Sequence, residues 1–238
     1  MKKVKWALAR GAYLLGICHV VLWLQRLIYS RKHIRVIFYH DTPERVAGNL
    51  EAHMRFFKKH YAPVTQEELS DLISEGKWEK DKPGLLITFD DGLRSNYQTA
   101  VPIMERHGFK GWHFVPSRVA GLPSRSQVDF ASNHSVRSEE TYDDRRIFMN
   151  AWELRDLEER GHVVGCHTRT HRRLDDAAPP AIVEAEVVTA KRELEELVGH
   201  PVRHLTQVLR RYAALGETPT GSIAPSGRRS LLRHETEL

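Results

Sequence analysis

Short apolar runs alternate with segments of helical periodicity from residue 34 onward, and this alternation restricts the possible fold most. Four runs are rich in apolar, often β-branched or aromatic residues and too short for buried helices: 34–39, 85–89, 111–115 and 162–166. Segments with helical periodicity follow them at residues 47–60, 95–107, 151–161 and 181–198. Strands that alternate with helices favour parallel pairing. We therefore predict an α/β fold whose parallel sheet is closed, wholly or in part, by outer helices.

Two capping patterns and one aperiodic segment refine this prediction. Thr65 with Glu68, and Asn150 with Glu153, have the spacing of capping boxes that begin helices. Residues 117–146 show no apolar period and are rich in Ser, Arg and Asp. Long aperiodic connections in compact domains are usually functional or disordered. We expect this segment to be a loop near the mouth of a site.

The first 33 residues differ in composition from the rest. Lysines precede an apolar run of 14 residues (11–24), and arginines follow it. The run is shorter than the roughly 20 residues that a membrane-spanning helix needs, and no small-x-small cleavage site follows it. Its large apolar residues recur at helical spacing. We expect residues 6–29 to form a helix at a membrane surface; packing against the globular domain is the alternative.

Composition limits the class of partner. The chain has 238 residues, a formal net charge of +5 and two cysteines, Cys18 and Cys166. Two cysteines give no disulfide framework. The mild positive charge suits an anionic membrane surface or an acidic polymer. No nucleic-acid-binding motif accompanies it, so nucleic acid is not an expected partner.

Two motifs rich in metal-ligand residues lie at the ends of predicted strands. The first is Thr-Phe-Asp-Asp-Gly at residues 88–92, and the second is His-Thr-Arg-Thr-His at residues 167–171. Either motif alone is weak, because Asp-Asp-Gly is a common turn and His-x-x-x-His a common helix surface pair. Active sites of parallel barrels form where the carboxyl ends of the strands meet. We therefore expect the two motifs to share one site.

The residue types in these motifs indicate metal chemistry. Adjacent carboxylates at a strand end, Asp90 and Asp91, point in different directions, so one can bind a metal while the other faces substrate. Gly92 allows the backbone to turn away from them. His167 and His171 are four residues apart, which predicts both rings on one side of a helical turn. Two imidazoles and one carboxylate leave an open position, as in catalytic zinc sites, where the ion activates water and polarises carbonyls.

The two motifs and their flanking residues, from about 36 to 201, resemble the NodB-type polysaccharide deacetylases of carbohydrate esterase family 4. The resemblance implies a distorted (β/α) barrel that removes N- or O-acetyl groups from a glycan. It implies that Asp90 is the general base. It also implies that Asp91, His167 and His171 bind one divalent ion, for which Zn²⁺ is expected.

The resemblance weakens toward the C-terminus. Residues 203–212 do not match the family's third motif, and the fourth motif and the Leu-x-His motif that carries the general acid are absent. Residues 216–238 contain no periodic apolar run. We expect a barrel that is incomplete at its C-terminal end and a disordered tail. The predicted organisation is an N-terminal apolar helix (1–33), a partial deacetylase domain (34–205) and an atypical tail (206–238).

His40 is a further candidate catalytic residue. Tyr39-His40-Asp41 is similar to a segment of deacetylases that act on poly-N-acetylglucosamine, where this early His lies at the active site. An imidazole can protonate a leaving amine near neutral pH; a local contact at a strand end is the alternative.

The combined expectation is a metal-dependent hydrolase that removes N-acetyl groups from an acetylated amino-sugar polymer. The expected location is the bacterial cell envelope or a membrane surface. Two alternatives remain open. One is an O-acetyl esterase that acts on a glycan through the same site. The other is a non-catalytic, truncated or frameshifted membrane-associated remnant of such an enzyme.

Overall fold

The computed structural model of the protein describes residues 11, 16, 17, 19–21, 23, 24, 33–140, 142–175 and 177–206. Within them, five parallel strands form one sheet: β1 (Ile34–Tyr39), β2 (Ala62–Pro63), β3 (Gly84–Phe89), β4 (Gly111–Val115) and β5 (Val163–Cys166). The main order is β1-β3-β4-β5, and β2 lies beside the first residues of β3. Leu205 forms a further parallel bridge with Cys166 of β5.

Helices follow each strand along the chain. The α-helices of the described residues are α1 (Ala47–His60), α2 (Gln66–Glu75), α3 (Val101–Arg106), α4 (Ser124–Asn133), α5 (Ala151–Glu159), α6 (Pro180–Val183) and α7 (Ala190–Val198). Short 3-10 helices span Glu44–Val46 and Ser117–Gly121. π-helical turns span Asn96–Ala100, which leads into α3, and Glu184–Thr189, which joins α6 to α7.

The predicted α/β class with a parallel sheet is confirmed. The order β1-β3-β4-β5 is open among the described residues, so closure into a barrel stays a prediction. At the open edge, Val36 and Phe38 of β1 are 50% and 68% exposed. Both predicted capping boxes are present, with Thr65 and Asn150 as the N-cap residues of α2 and α5. Each cap satisfies backbone N–H groups that the first turn leaves unpaired.

The interior of the sheet is buried on both faces. Packing on both sides holds the central strands, and therefore the residues at their ends, in place. Leu85, Ile87 and Phe89 of β3 belong to a core shared with helices α1, α3, α5 and α7. Leu86 faces the other side and packs in a second cluster with Trp112 of β4. Side chains alternate between faces along a strand, so a continuous apolar run such as β3 serves both clusters.

The prediction of a loop without regular structure at residues 117–146 is wrong, because the segment contains the Ser117–Gly121 3-10 helix and α4. The core-facing residues of α4 include Gln127 beside Phe130 and Ala131. The side-chain oxygen of Gln127 accepts hydrogen bonds from the backbone of Ile147 at 2.9 Å and Phe148 at 3.0 Å. A polar residue on the buried face interrupts the apolar period, so the sequence pattern does not indicate a helix here.

Two sequence predictions lie mainly outside the described residues. Only a few positions of the predicted N-terminal helix are described, so its association with a membrane surface stays a prediction. Residues 207–238, which make up nearly all of the predicted tail, are also outside the described residues. Within the described part of the chain, none of the helices is both long and apolar enough to cross a membrane.

Candidate metal centre

Asp91, His167 and His171 meet at the carboxyl ends of β3 and β5. One candidate ligand atom from each lies within 4.8 Å of the other two. Oδ1 of Asp91 is 3.0 Å from Nε2 of His171 and 3.7 Å from Nε2 of His167. Asp91 and His167 are buried and His171 is half-buried. The two sequence motifs therefore converge on one small, largely dehydrated centre.

The turn after β3 adopts a strained backbone that aims Asp91 at the two rings. Asp91 has a φ of 73° and Gly92 a φ of 67°, so two successive residues are left-handed. This conformation is unfavourable for a residue with a Cβ and is often kept at functional sites. A Cβ added to Gly92 would lie 2.8 Å from Cγ1 of Val115. Glycine is therefore required here by both the backbone conformation and the close contact with β4.

The two histidines do not lie on a helical turn, so that part of the sequence prediction is wrong. Residues 167–171 form a loop in which Thr168 and His171 are left-handed, with φ of 62° and 58°. The pairing of β4 with β5 continues past the strand ends: the Ser117 amide donates to the Thr168 carbonyl at 3.2 Å. This pairing prevents the backbone from coiling, and the ring centroids still come within 5.1 Å.

The outer nitrogens of the two rings contact backbone carbonyls. Nδ1 of His167 is 3.1 Å from the Thr206 carbonyl oxygen, and Nδ1 of His171 is 2.7 Å from the His134 carbonyl oxygen. A carbonyl only accepts hydrogen bonds, so we assign the ring proton to Nδ1 in each neutral imidazole. Each Nε2 then presents a lone pair toward Asp91. Such outer contacts orient histidine ligands in metal sites.

The carboxylate oxygen at the middle of the centre is not satisfied by an ordinary hydrogen bond. Oδ1 of Asp91 is buried and accepts no well-oriented hydrogen bond from any described residue. Three electron-pair donors therefore face one another, an arrangement that repels itself unless a cation or a proton lies between them. The donor set of two imidazoles and one carboxylate fits a divalent ion such as Zn²⁺.

The pKa values at the centre reflect the competition between burial and charge. Burial lowers the pKa of His167 to about 4, although the charge of Asp91 opposes the shift. Burial also opposes the charged forms of His171 and Asp91. The hydrogen bond and opposite charges of these two groups outweigh the effect of burial. The pKa of His171 is therefore raised and that of Asp91 lowered. A proton on His171 competes with a metal ion for the same lone pair.

Asp90 and His40 lie beside the centre. The Asp90 amide donates to the Tyr39 carbonyl at 3.0 Å, which joins the ends of β1 and β3. Burial raises the pKa of Asp90 to about 6; the charge of His40 opposes this shift and that of Asp91 adds to it. His40 is exposed, and its charge acts on both Asp90 and Asp91. The catalytic roles of Asp90 and His40 stay predictions.

Sequence reasoning missed the groups that hold the ligands in place. The carbonyls of His134 and Thr206 are backbone groups, and residue type gives no signal for them. Glu186 accepts three hydrogen bonds from the loop that carries the histidines. It is one of many glutamates in a helical segment, and helical periodicity does not distinguish it.

Comparison with known proteins identifies the family of the chain. Residues 77–212 match the family model described as "Polysaccharide deacetylase". YxkH of Bacillus subtilis (strain 168), whose name assigns it to the polysaccharide deacetylases, is 23% identical over 163 residues. That match covers 68% of this chain and 50% of YxkH, so the chain spans about half the length of this curated relative.

Solved structures of deacetylases share the fold. The Streptococcus pyogenes deacetylase PplD, in complex with acetate, aligns with a TM-score of 0.56 and 17% identity over 73% of this chain and 72% of PplD. The de-N-acetylase from Aggregatibacter actinomycetemcomitans aligns with a TM-score of 0.55 and 16% identity over 74% of this chain and 79% of that chain. Identities this low show the fold alone. The family model, however, matches more than half of the sequence, and this chain therefore belongs to the polysaccharide deacetylase family.

Proposed function

We propose that this protein is a metal-dependent hydrolase that removes N-acetyl groups from an amino-sugar polysaccharide. The observation that carries the proposal is the convergence of one ligand atom each from Asp91, His167 and His171 within 4.8 Å. Two imidazoles and a carboxylate are a common ligand set of catalytic zinc. We propose one divalent ion, Zn²⁺, as the cofactor.

The residues around the centre suit hydrolysis of an acetyl group. When bound, the ion would polarise the acetyl carbonyl and make water more acidic. Asp90 would accept a proton from the attacking water, since a pKa of about 6 leaves most of its carboxyl ionised at neutral pH. His40 would donate a proton to the nitrogen as the carbon–nitrogen bond breaks. The products are acetate and a free amine.

The preference for an amide over an ester rests on the leaving group. An amide nitrogen needs a proton before it departs, whereas an ester oxygen departs more readily. With Asp90 as the base and His40 as the proton donor, the site could supply the proton that the departing nitrogen requires. One of the structural relatives is a de-N-acetylase, which supports the same preference.

We also propose that residues 6–29 bring the enzyme to a membrane surface in the bacterial cell envelope. Lysines and arginines flank their apolar core, as in helices that lie at an anionic interface. Deletion of these residues should move the protein from the membrane fraction to the supernatant of a cell lysate. Retention in the membrane fraction after deletion would contradict the proposal.

The enzymatic proposal is tested with purified full-length protein and acetylated glucosamine oligomers. Release of acetate should stop when a chelator is added and return with Zn²⁺. His167→Ala should abolish both metal binding and acetate release. His200→Ala, an exposed histidine outside the cluster, is the matched control and should keep both.

Three results would overturn the proposal. Acetate release that survives both chelator and His167→Ala would show that the metal centre does not carry the reaction. Release from O-acetylated but not N-acetylated oligomers would identify an O-acetyl esterase. A protein that binds Zn²⁺ and releases no acetate from either substrate would be a non-catalytic member of the family.

A further inference from the structure

Glu186 binds the backbone of the loop that carries both candidate histidine ligands. Its Oε2 accepts hydrogen bonds from the amides of Arg169 at 3.1 Å and Thr170 at 2.9 Å. Its Oε1 accepts from the Thr170 hydroxyl at 2.7 Å. The residue is only 6% exposed. One buried carboxylate therefore holds three donors of a five-residue loop.

The carboxylate of Glu186 is balanced by hydrogen bonds and not by a cation. None of the ion pairs among the described residues includes it. Glu193 differs: it accepts from the Arg169 side chain at 2.8 Å and from the Ser117 hydroxyl at 2.6 Å. A buried carboxylate is costly unless its hydrogen bonds are strong and well aligned. The position of Glu186 relative to the loop is therefore tightly defined.

A π-helical turn places Glu186 against the loop. The turn spans Glu184–Thr189, and both Glu186 and Val187 within it are buried. Such turns are rare and are often found at functional sites, because they redirect side chains that a regular helix would point elsewhere. Val187 anchors the turn in the core, while Glu186 reaches residues 169 and 170.

The bonds to Glu186 lie between the two strained residues of the loop. Thr168 and His171, which flank the bonded amides, are left-handed with φ of 62° and 58°. A left-handed conformation is unfavourable for a residue with a Cβ. Without an acceptor for its amides, the loop would relax toward ordinary backbone conformations, and the Nε2 atoms of the histidines would turn away from Asp91.

We propose that Glu186 is a positioning residue that holds the 167–171 loop in its metal-binding conformation. Its effect is geometric: the carboxylate fixes the backbone between His167 and His171 and thereby raises the affinity of the centre for a divalent ion. This inference rests on the proposed metal-binding role of the cluster.

Two variants separate the geometry of Glu186 from its charge. Glu186→Gln keeps the length: its oxygen can accept from both amides and its amide group can donate to the Thr170 hydroxyl. Glu186→Asp keeps the charge but is one methylene too short to reach the loop. In competition titrations with Zn²⁺, the Gln variant should bind within about threefold of wild type, and the Asp variant about tenfold or more weakly.

The visible spectrum of bound Co²⁺ gives a readout that does not depend on catalysis. The Gln variant should keep the wild-type spectrum, and the Asp variant should show altered bands, because its ligands are held less well. Glu158→Asp is the matched control: Glu158 accepts a hydrogen bond from the Val164 amide at the opposite end of β5. This control should lower the melting temperature and leave metal affinity unchanged.

Wild-type affinity in Glu186→Asp would overturn the inference, and so would equal losses in the Asp and Gln variants. If Glu186→Asp fails to fold, Thr170→Val carries the test. It removes only the hydroxyl bond and should weaken Zn²⁺ binding by about threefold; unchanged affinity would count against the inference. A wild-type protein that binds neither ion would overturn the proposed function together with this inference.

Discussion

The sharpest test of the folded core is its stability in mild acid, and His162 is the residue to change. Its side chain is fully buried directly before β5, and its Nδ1 accepts a hydrogen bond from the Gly111 amide at 2.9 Å. Burial, aided by the charge of Lys110, lowers the pKa of His162 to about 4, although Glu105 opposes the shift. The folded protein therefore keeps this ring neutral well below the pH at which an unfolded chain would protonate it.

The size of the effect follows from the two pKa values. The ordinary value of 6.5 applies to the unfolded chain, and the folded value is about 4. As the pH falls, the unfolded chain takes up the proton first. The stabilisation is therefore complete above about pH 6.5 and is lost between there and about pH 4. The difference between the two pKa values corresponds to a total loss of about 3 kcal/mol in the free energy of unfolding, which is complete below about pH 4.

Urea unfolding at pH 7.5, 5.5 and 4.5 measures this loss in wild type and in His162→Asn. The Asn side-chain oxygen can still accept from the Gly111 amide, so the variant removes the titrating group and keeps the hydrogen bond. It should lose about 2.5 kcal/mol less than wild type between pH 7.5 and 4.5, because the loss is complete only below about pH 4. Val163→Ala, at a buried apolar neighbour, should lower stability equally at every pH. The same pH dependence in wild type and His162→Asn would refute the reasoning.

Three further substitutions test the site and its supports. Asp90→Asn should lower kcat by about 100-fold or more with Zn²⁺ affinity unchanged in a titration; an equal loss of metal would show that both carboxylates bind it. Gly92→Ala should lower the free energy of unfolding by about 1–3 kcal/mol, because its new Cβ would meet Val115 at 2.8 Å; wild-type stability in urea would contradict this. Asn150→Ala loses the cap bond to the Glu153 amide at 2.9 Å and should cost about 1 kcal/mol, measured by thermal unfolding; an unchanged melting temperature would exclude that contribution.

Much of the sheet could be predicted because the relevant forces are local. Continuous apolar runs such as residues 85–89 form buried parallel strands, and the motifs that follow them must lie at one edge of the sheet. The positions of Asp91, His167 and His171 in one cluster follow from that rule.

The sequence does not reveal features that depend on tertiary contacts. The helix α4 escapes prediction because Gln127 occupies a buried position and uses its side chain to bind the backbone at Ile147 and Phe148. The loop at His167 and His171 departs from a helical turn because pairing with the end of β4 fixes its backbone. In both cases a distant partner overrides the local pattern.

The contact between His167 and the Thr206 carbonyl has a consequence for biosynthesis. Four parts of the chain form and orient the metal centre: the end of β3, the end of α4, the loop after β5 and Thr206. Thr206 lies 39 positions beyond His167. Contacts at such sequence separations form late, because the intervening chain must first be ordered. During translation, the growing chain can therefore assemble most of the sheet before the Thr206 carbonyl is available to contact Nδ1 of His167. Capture of the ion is then expected to be among the last events of maturation, after the ribosome has released residue 206.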